Sequence, residues 1–270
     1  MTRESEIDTT WESIGALARR RRSENPGPMT LDGTNSYVLA APDAAGVVVV
    51  DPGPLLEGHL AELAGAGAVE LILITHHHGD HTDGSARLHE LTGAPVRAAL
   101  PEFCHGGTAL FDGELIQAGG LTIEVLATPG HTSDSLCFVL NNDGGHGLVL
   151  TGDTVLGRGT TMLDHPDGKL GDYLASLERL RQLGSLTGSM VVLPGHGPVL
   201  PDLSAAVLGY QAHRRERLAQ VRAAVDELRK KNGFEPIAAD VVAVVYADVP
   251  ANVLGAAELS VQAQLEYLRG

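Results

Sequence analysis

Six consecutive residues, His76-His77-His78-Gly79-Asp80-His81, carry four imidazoles and a carboxylate one residue after the apolar run Leu71-Ile72-Leu73-Ile74. Near neutral pH histidine is mainly an uncharged nitrogen donor, and aspartate adds a hard anionic oxygen. That mixture suits zinc, with manganese or iron as less favoured occupants. A polar loop merely rich in histidine would need no counterparts elsewhere. Here four further segments repeat one pattern, an apolar strand ending in a metal-competent residue beside Gly or Pro. They are Val50-Asp51-Pro52-Gly53, Pro129-Gly130-His131-Thr132, Thr151-Gly152-Asp153-Thr154 and Pro194-Gly195-His196-Gly197. Sheets present site residues at strand ends, and glycine lets the backbone turn sharply there. The chain must therefore adopt a fold in which five strand ends converge.

Around these segments short β-rich runs alternate with helical ones. Strands are expected over residues 36–40, 47–50, 71–75, 96–100, 121–126, 136–140, 148–151 and 190–193, and helices over 55–64, 85–92 and 173–183. Val47-Val48-Val49-Val50 and Leu71 to Ile74 are unbroken apolar runs, as in strands covered on both faces. Leu174, Leu177, Leu180 and Leu183 recur at helical spacing. An α/β architecture with sheets enclosed by helices is expected. Near Pro201 the character changes. Residues 204–231 read as one long helix with the stripe Leu218, Val221, Val225 and Leu228, ended by Asn232-Gly233. Helices over 236–246 and 251–268 complete a helical appendage, which divides the chain into 1–203 and 204–270.

The 270 residues exceed what one ordinary core requires, in keeping with a large domain plus an appendage. A formal charge of −15 opposes general affinity for nucleic acid or anionic membranes. Residues 213–231 are a local exception, with seven Lys or Arg against three Asp or Glu. Arg215, Arg222 and Arg229 recur every seven residues there, as a solvated face or, less commonly, a phosphate-tracking stripe. Cys104 and Cys137 fit no metal-ligand spacing and read as reduced thiols, with Cys137 in the core. Residues 1–11 are acidic and polar, and no run of roughly 18 apolar residues occurs. A cytoplasmic protein that does not enter the membrane is the expectation.

The ordered set His76-x-His78-x-Asp80-His81, His131, Asp153, His196 resembles the metallo-β-lactamase superfamily. The resemblance implies a four-layer αβ/βα sandwich with two metal ions, taken as zinc, on one edge. It implies that His76, His78 and His131 hold the first metal, that Asp80, His81 and His196 hold the second, and that Asp153 bridges them. Asp51 would support the loops. A narrower similarity, to the lactamase-β-2-like branch, rests on Asn25-Pro26-Gly27-Pro28-Met29-Thr30-Leu31, Gly33-Thr34-Asn35, Leu156-Gly157-Arg158-Gly159-Thr160-Thr161 and Tyr210-x-x-His213-Arg214. That branch carries a C-terminal winged-helix-like domain, and its members include a single-strand RNA endonuclease. Here no strands follow the last helix up to Gly270, so a helical bundle without its wing is expected. Such a bundle is a poorer reader of nucleic acid and suits a lid, a docking surface or a homodimer contact.

The activity so implied is hydrolysis of an ester, thioester or phosphodiester, single-stranded RNA included, by a hydroxide bridging the two metals. Asp80 and Asp153 would be the catalytic carboxylates, and Thr160, His165 and His213 candidate substrate contacts. The competing reading is a non-catalytic metal-binding regulator with a nucleic-acid or protein docking domain, which the net charge and the absent wing disfavour. His77, between two ligands, is expected to point away from the metals. His59, His89, His105 and His146 read as exposed or loop histidines.

Overall fold

The computed structural model describes residues 11–143, 146–247 and 253–270. The polar opening stretch 1–10 and the first two positions of the helix expected over 251–268 lie outside the described residues.

Two mixed sheets form the centre. In one, β1 (Glu12–Ile14), β2 (Ala18–Arg22), β3 (Asn35–Leu39), β4 (Gly46–Val50), β5 (Ala68–Leu73) and β6 (Val96–Arg97) lie side by side in chain order. The other comprises β7 (Leu115–Ala118), β8 (Leu121–Ala127), β9 (Leu136–Asp143), β10 (His146–Gly152) and β11 (Met190–Pro194), also in chain order. Pairing is parallel for β4–β5, β5–β6 and β10–β11 and antiparallel elsewhere.

The period of two along each strand builds the layers. Val48, Val50, Leu71 and Leu73 face the second sheet and meet Ile123, Phe138 and Leu148. Their neighbours Val47, Val49, Ile72 and Ile74 face outward onto Leu60 and Leu63 of α1 (Glu57–Ala64) and Leu88 of α3 (Ser85–Thr92). On the far side, Cys137, Val139, Val149 and Val192 pack against Tyr173, Leu177 and Leu180 of α4 (Leu170–Thr187). Each fully buried aliphatic or aromatic side chain contributes roughly 1.5–3 kcal/mol. An αβ/βα sandwich results, with helices outside and the largest apolar layer between the sheets.

Strands β1, β2 and β7 are not evident in the hydrophobic pattern. In β2, Ala18 is followed by Arg19 to Arg22, and Arg19, Arg20 and Arg21 are engaged by neighbours rather than left to solvent. Arg21 is buried and gives two hydrogen bonds to the Glu62 carboxylate on α1. Arg19 stacks on the Trp11 ring and donates to the Ala66 carbonyl at 2.8 Å. A strand near a sheet edge tolerates such residues.

The 30-residue helix α5 (Leu203–Asn232) starts at Asp202, whose Oδ1 accepts from Ala205 N at 2.8 Å, and stops at Gly233 in the left-handed region, φ 77°. Leu203, Val207 and Tyr210 on its first half join the outer layer over the second sheet. Val221, Ala224 and Val225 on its second half form a separate core with α6 (Ala238–Val245) and α7 (Leu254–Arg269) through Val241, Val242, Val261 and Leu265. One helix thus belongs to both bodies. No helix among the described residues is long and apolar enough to cross a membrane.

His59 departs from the sequence reading. It lies on α1, is buried, and its Nε2 is 2.8 Å from Ser36 Oγ. Burial, with the Arg21 charge nearby, pushes its pKa down to about 4 from 6.5. Between those two values the unfolded chain binds the proton and the folded chain does not. The stability supplied here is complete above pH 6.5 and is lost as pH falls toward 4. The stability advantage of the wild type over His59→Gln is therefore expected to shrink across that interval, in urea unfolding of both proteins in EDTA. A difference that does not change with pH would contradict a neutral buried His59.

Candidate metal centre

The loops after β4, β5, β8, β10 and β11 meet at one edge of the sandwich. The chain leaving β5 supplies Thr75 to His78, and the single-turn helix α2 (Gly79–Thr82) then carries Asp80 and His81. The two sheets are joined at this edge by Asn35. Its backbone N donates to the Gly195 carbonyl at 2.7 Å, and its Nδ2 donates to the carbonyls of Pro194 and Gly197, both at 2.9 Å. Gly195 cannot be larger, because a Cβ there would strike Asp153 Oδ1 and lie 2.8 Å from His81 Cε1.

His76 Nε2 and His131 Nε2 each lie 3.1 Å from His78 Nδ1. Ligand nitrogens about 2.05 Å from a tetrahedral zinc sit about 3.3 Å apart, so this trio fits one ion with small adjustments. Beside it, His196 Nε2 is 3.1 Å from Asp80 Oδ2 and 3.3 Å from His81 Nε2. Asp153 reaches both groups: Oδ1 is 3.5 Å from His81 Nε2, and Oδ2 is 3.4 Å from His196 Nε2 and 3.8 Å from His131 Nε2. Asp153 Oδ1 is buried without a hydrogen-bond partner, as suits an oxygen meant for a cation. All seven proposed ligands therefore come together in two adjoining sets.

The other ring nitrogen of each histidine is held as well. His81 Nδ1 is 2.8 Å from Asp51 Oδ2, which also accepts from Thr75 Oγ1 at 2.7 Å. Thr75 Oγ1 in turn lies 3.0 Å from His76 Nδ1. His78 Nε2 is 3.1 Å from Asp164 Oδ2, His131 Nδ1 is 2.8 Å from the Met162 carbonyl, and His196 Nδ1 is 3.3 Å from the Gly33 carbonyl. Each acceptor takes the outer N–H and turns the inward nitrogen toward the site. Asp51, with φ 51°, occupies the left-handed region to do so.

Burial opposes charge at His81, yet Asp51, Asp80 and Asp153 raise its pKa. Burial likewise opposes charge at His196, but Asp153 and Asp80 push it up to about 11. Burial would raise Asp80, but His81 and His196 hold it at about 2, and the same pair keeps Asp153 well below its ordinary value despite burial. In the first set the balance differs: burial lowers His131 to about 4 and takes His76 well below 6.5. One set is rich in anionic charge, whereas in the other burial keeps His76 and His131 neutral.

The loop from Thr154 to Asp164 connects this chemistry to the helices. Thr161 Oγ1 donates to the Asp153 carbonyl at 2.6 Å, Met162 anchors His131, and Asp164 anchors His78. The loop is gripped by Tyr173, whose hydroxyl donates to the Thr154 carbonyl at 2.7 Å, and by Tyr210, whose hydroxyl accepts from Leu156 N at 2.8 Å. Arg214 donates to the Thr161 carbonyl and stacks on Tyr173, 4.8 Å from the ring centre. Asp164 and Thr75 carry no sequence signal beyond their nearness to ligands. The Asp164–His78 and Thr75–Asp51 contacts join segments distant in sequence.

A cavity of ≈ 310 Å³ borders His131 and Asp153, and Thr160 and His213 line it. His165 does not. Its Nε2 pairs with Glu266 Oε2 of α7 at 2.8 Å, so it ties the appendage to the sandwich instead of bordering the cavity. His77 turns to Asp134, 2.7 Å away, as its position between two ligands predicts.

These features define a sandwich protein with a two-set metal-binding edge. Residues 29–196 match the model of the Metallo-beta-lactamase superfamily, and the chain belongs to that superfamily of metallo-hydrolases. Residues 238–269 match the Beta-lactamase associated winged helix domain, so the appendage is of that type, its described residues there being mainly helical. An atrochrysone carboxyl ACP thioesterase of Aspergillus chevalieri is 35% identical over 241 residues, covering 85% of this chain and 73% of that protein. A beta-lactamase-like protein 2 homolog of Caenorhabditis elegans is 31% identical over 252 residues, 88% of this chain and 79% of that one. A beta-lactamase domain protein from Burkholderia ambifaria superposes with a TM-score of 0.80 at 21% identity, over 99% of this chain and 89% of that one. A metallo-beta-lactamase family protein from Thermus thermophilus gives 0.75 at 24% identity, over 93% of both chains. These two likenesses establish the fold.

Two outcomes are expected. Zinc entering the second set must displace the proton held by His196, whose pKa lies at about 11, so calorimetric titration at neutral pH should show a buffer-dependent enthalpy of proton release. An enthalpy independent of buffer would contradict this. Arg214→Met, which removes the grip on Thr161, should weaken zinc binding about 10-fold or more in chelator competition. Unchanged affinity would deny the loop its role.

Proposed function

We propose that this chain is a hydrolase that uses two divalent metal ions, zinc foremost and manganese or iron as alternatives, to cleave a thioester. The observation that carries the reading is the pair of adjoining donor sets, sharing Asp153 and opening onto the cavity beside His131. Bound there, two divalent ions supply Lewis acidity and a lowered water pKa, which together make hydrolysis feasible at neutral pH. His76, His78 and His131 would hold one ion, Asp80, His81 and His196 the other, and Asp153 would span both.

The protein's own groups do the rest. Asp80 accepts from Thr34 Oγ1 at 3.3 Å, which fixes the carboxylate that aims the attacking water. In the reaction the water oxygen bonds to the carbonyl carbon and the carbon–sulfur bond breaks. The acid and the thiol are the products, the water supplying the thiol's proton. Thr160 and His213 line the space for the remainder of the substrate.

A thioester is favoured over RNA on two counts. The cavity walls include Met29, Leu31, Leu156 and Met162, which suit an apolar acyl group. In the arginine series read as a solvated face or, less commonly, a phosphate-tracking stripe, Arg229 is engaged with Glu235 and Asp226. The thioesterase named among the relatives supports the same choice.

Zinc-loaded protein should hydrolyse acyl thioesters in a thiol-release assay, and Asp153→Ala should reduce the rate at least about 10³-fold and lower the zinc content. Full activity in Asp153→Ala would remove the bridging assignment. Cleavage of single-stranded RNA with no thioester turnover would replace the substrate reading.

A further inference from the structure

The cavity beside the metal centre is also lined by the C-terminal helices. From the sandwich come Asp153, Met29 and Leu156; from α5 come His213, Arg214 and Arg217, with Tyr246 after α6. Its charge is opposite to that of the protein. In a chain of formal charge −15, the lining holds three guanidinium groups and one carboxylate, Asp153, which is committed to the metal-binding edge. Arg158 is neutralised by Asp32 at 2.8 Å. Neither Arg214 nor Arg217 has an acidic partner among the described residues.

Arg214 is buried, and its role is in the loop. Its Nε nonetheless lies buried without a hydrogen-bond partner, so the local field is that of an unmatched cation. Arg217 is half-buried and lies over the Tyr246 ring, 4.6 Å from its centre, with Nη1 giving one long hydrogen bond to the Val245 carbonyl at 3.4 Å. Stacking fixes the plane of a guanidinium while leaving most of its five donors unused. His213, four residues earlier, lies on the same helix face. Its Nδ1 is buried without a partner, and burial together with Arg214 and Arg217 keeps its pKa below the ordinary histidine value. A cation held flat and unpaired beside an apolar wall is a receptor for an anionic oxygen group.

We propose that Arg217, with the His213 ring beside it, forms a subsite for an anionic end group of the substrate, a carboxylate or phosphate carried on an apolar body. The assignment deepens the thioester reading and rests on it for the reacting bond. Such an anion can sit on either side of that bond. On the acyl side the substrate is a carboxyacyl thioester, and on the thiol side it is the thioester of a phosphorylated thiol.

Two matched pairs separate these sources. Suberyl and octanoyl thioesters of N-acetylcysteamine differ by a carboxylate on the acyl side. Octanoyl 4′-phosphopantetheine and octanoyl pantetheine differ by a phosphate on the thiol side. With zinc-loaded wild type, the anionic member of at least one pair should have a kcat/KM about 10-fold or more higher. Arg217→Gln should bring that ratio to within about twofold of unity, and Arg217→Lys, which keeps charge but not the planar fork, should fall between. No preference in either pair, or a preference that survives in Arg217→Gln, overturns the subsite.

Failure of the thioester reading looks different, because then none of the four compounds is hydrolysed. In that event binding decides the subsite. Suberate and 4′-phosphopantetheine are titrated calorimetrically into wild type and both Arg217 variants, each checked for an unchanged melting temperature. At least one probe should bind wild type about 10-fold more tightly than Arg217→Gln. Equal affinities across wild type and a variant that melts normally, or no binding to wild type, count against the subsite.

Discussion

Five imidazoles can share one small region only if each is told which nitrogen carries its proton. Asp51, Thr75, Asp164 and the carbonyls of Met162 and Gly33 do this for His81, His76, His78, His131 and His196. The acceptors come from segments flanking β3, β4 and β5 of the first sheet and from the loop after β10. The site is therefore not a property of the His-rich segment alone. It exists because the sandwich brings strand ends from two sheets to one edge and Asn35 stitches them there. Buried carboxylates and imidazoles that would be costly singly become mutual partners.

The C-terminal helices are part of this arrangement. Helix α5 lays Leu203, Val207 and Tyr210 on the sandwich and continues into a second core with α6 and α7. From its first half, Tyr210 and Arg214 hold the loop that orients His131 and His78 and gives a hydrogen bond to the Asp153 carbonyl. The appendage therefore shapes the metal-binding edge and also closes the adjoining cavity. His165 paired with Glu266 adds a further tie between the two bodies.

Much of this was legible in the sequence. The apolar runs 47–50 and 71–74 have period-two side chains that must be covered on both faces, and they became the central strands β4 and β5. The seven proposed ligands stood out as candidates because donor type and glycine or proline punctuation coincide near strand ends, and the structure brings them together at one edge. Strand β2 was not readable, because Arg19, Arg20 and Arg21 are held by the Ala66 and Gly197 carbonyls and by Glu62, all far along the chain. His59 was misjudged for the same reason. Its burial comes from α1 packing onto the sheet and from Ser36, which no local pattern reveals.

The sequence by itself determined which side chains are competent to bind metal and that they follow strand ends, because both follow from residue type and local periodicity. Only the tertiary structure decided which nitrogen of each ring faces inward. It also turned His77 to Asp134 and His165 to Glu266, and it left Arg217 unpaired by any described carboxylate beside an apolar wall. Those outcomes depend on distances between segments that the chain order separates by tens of residues. The physical reason is that hydrogen bonding and charge pairing act through space over a few ångströms, whereas the sequence records neighbours along the chain.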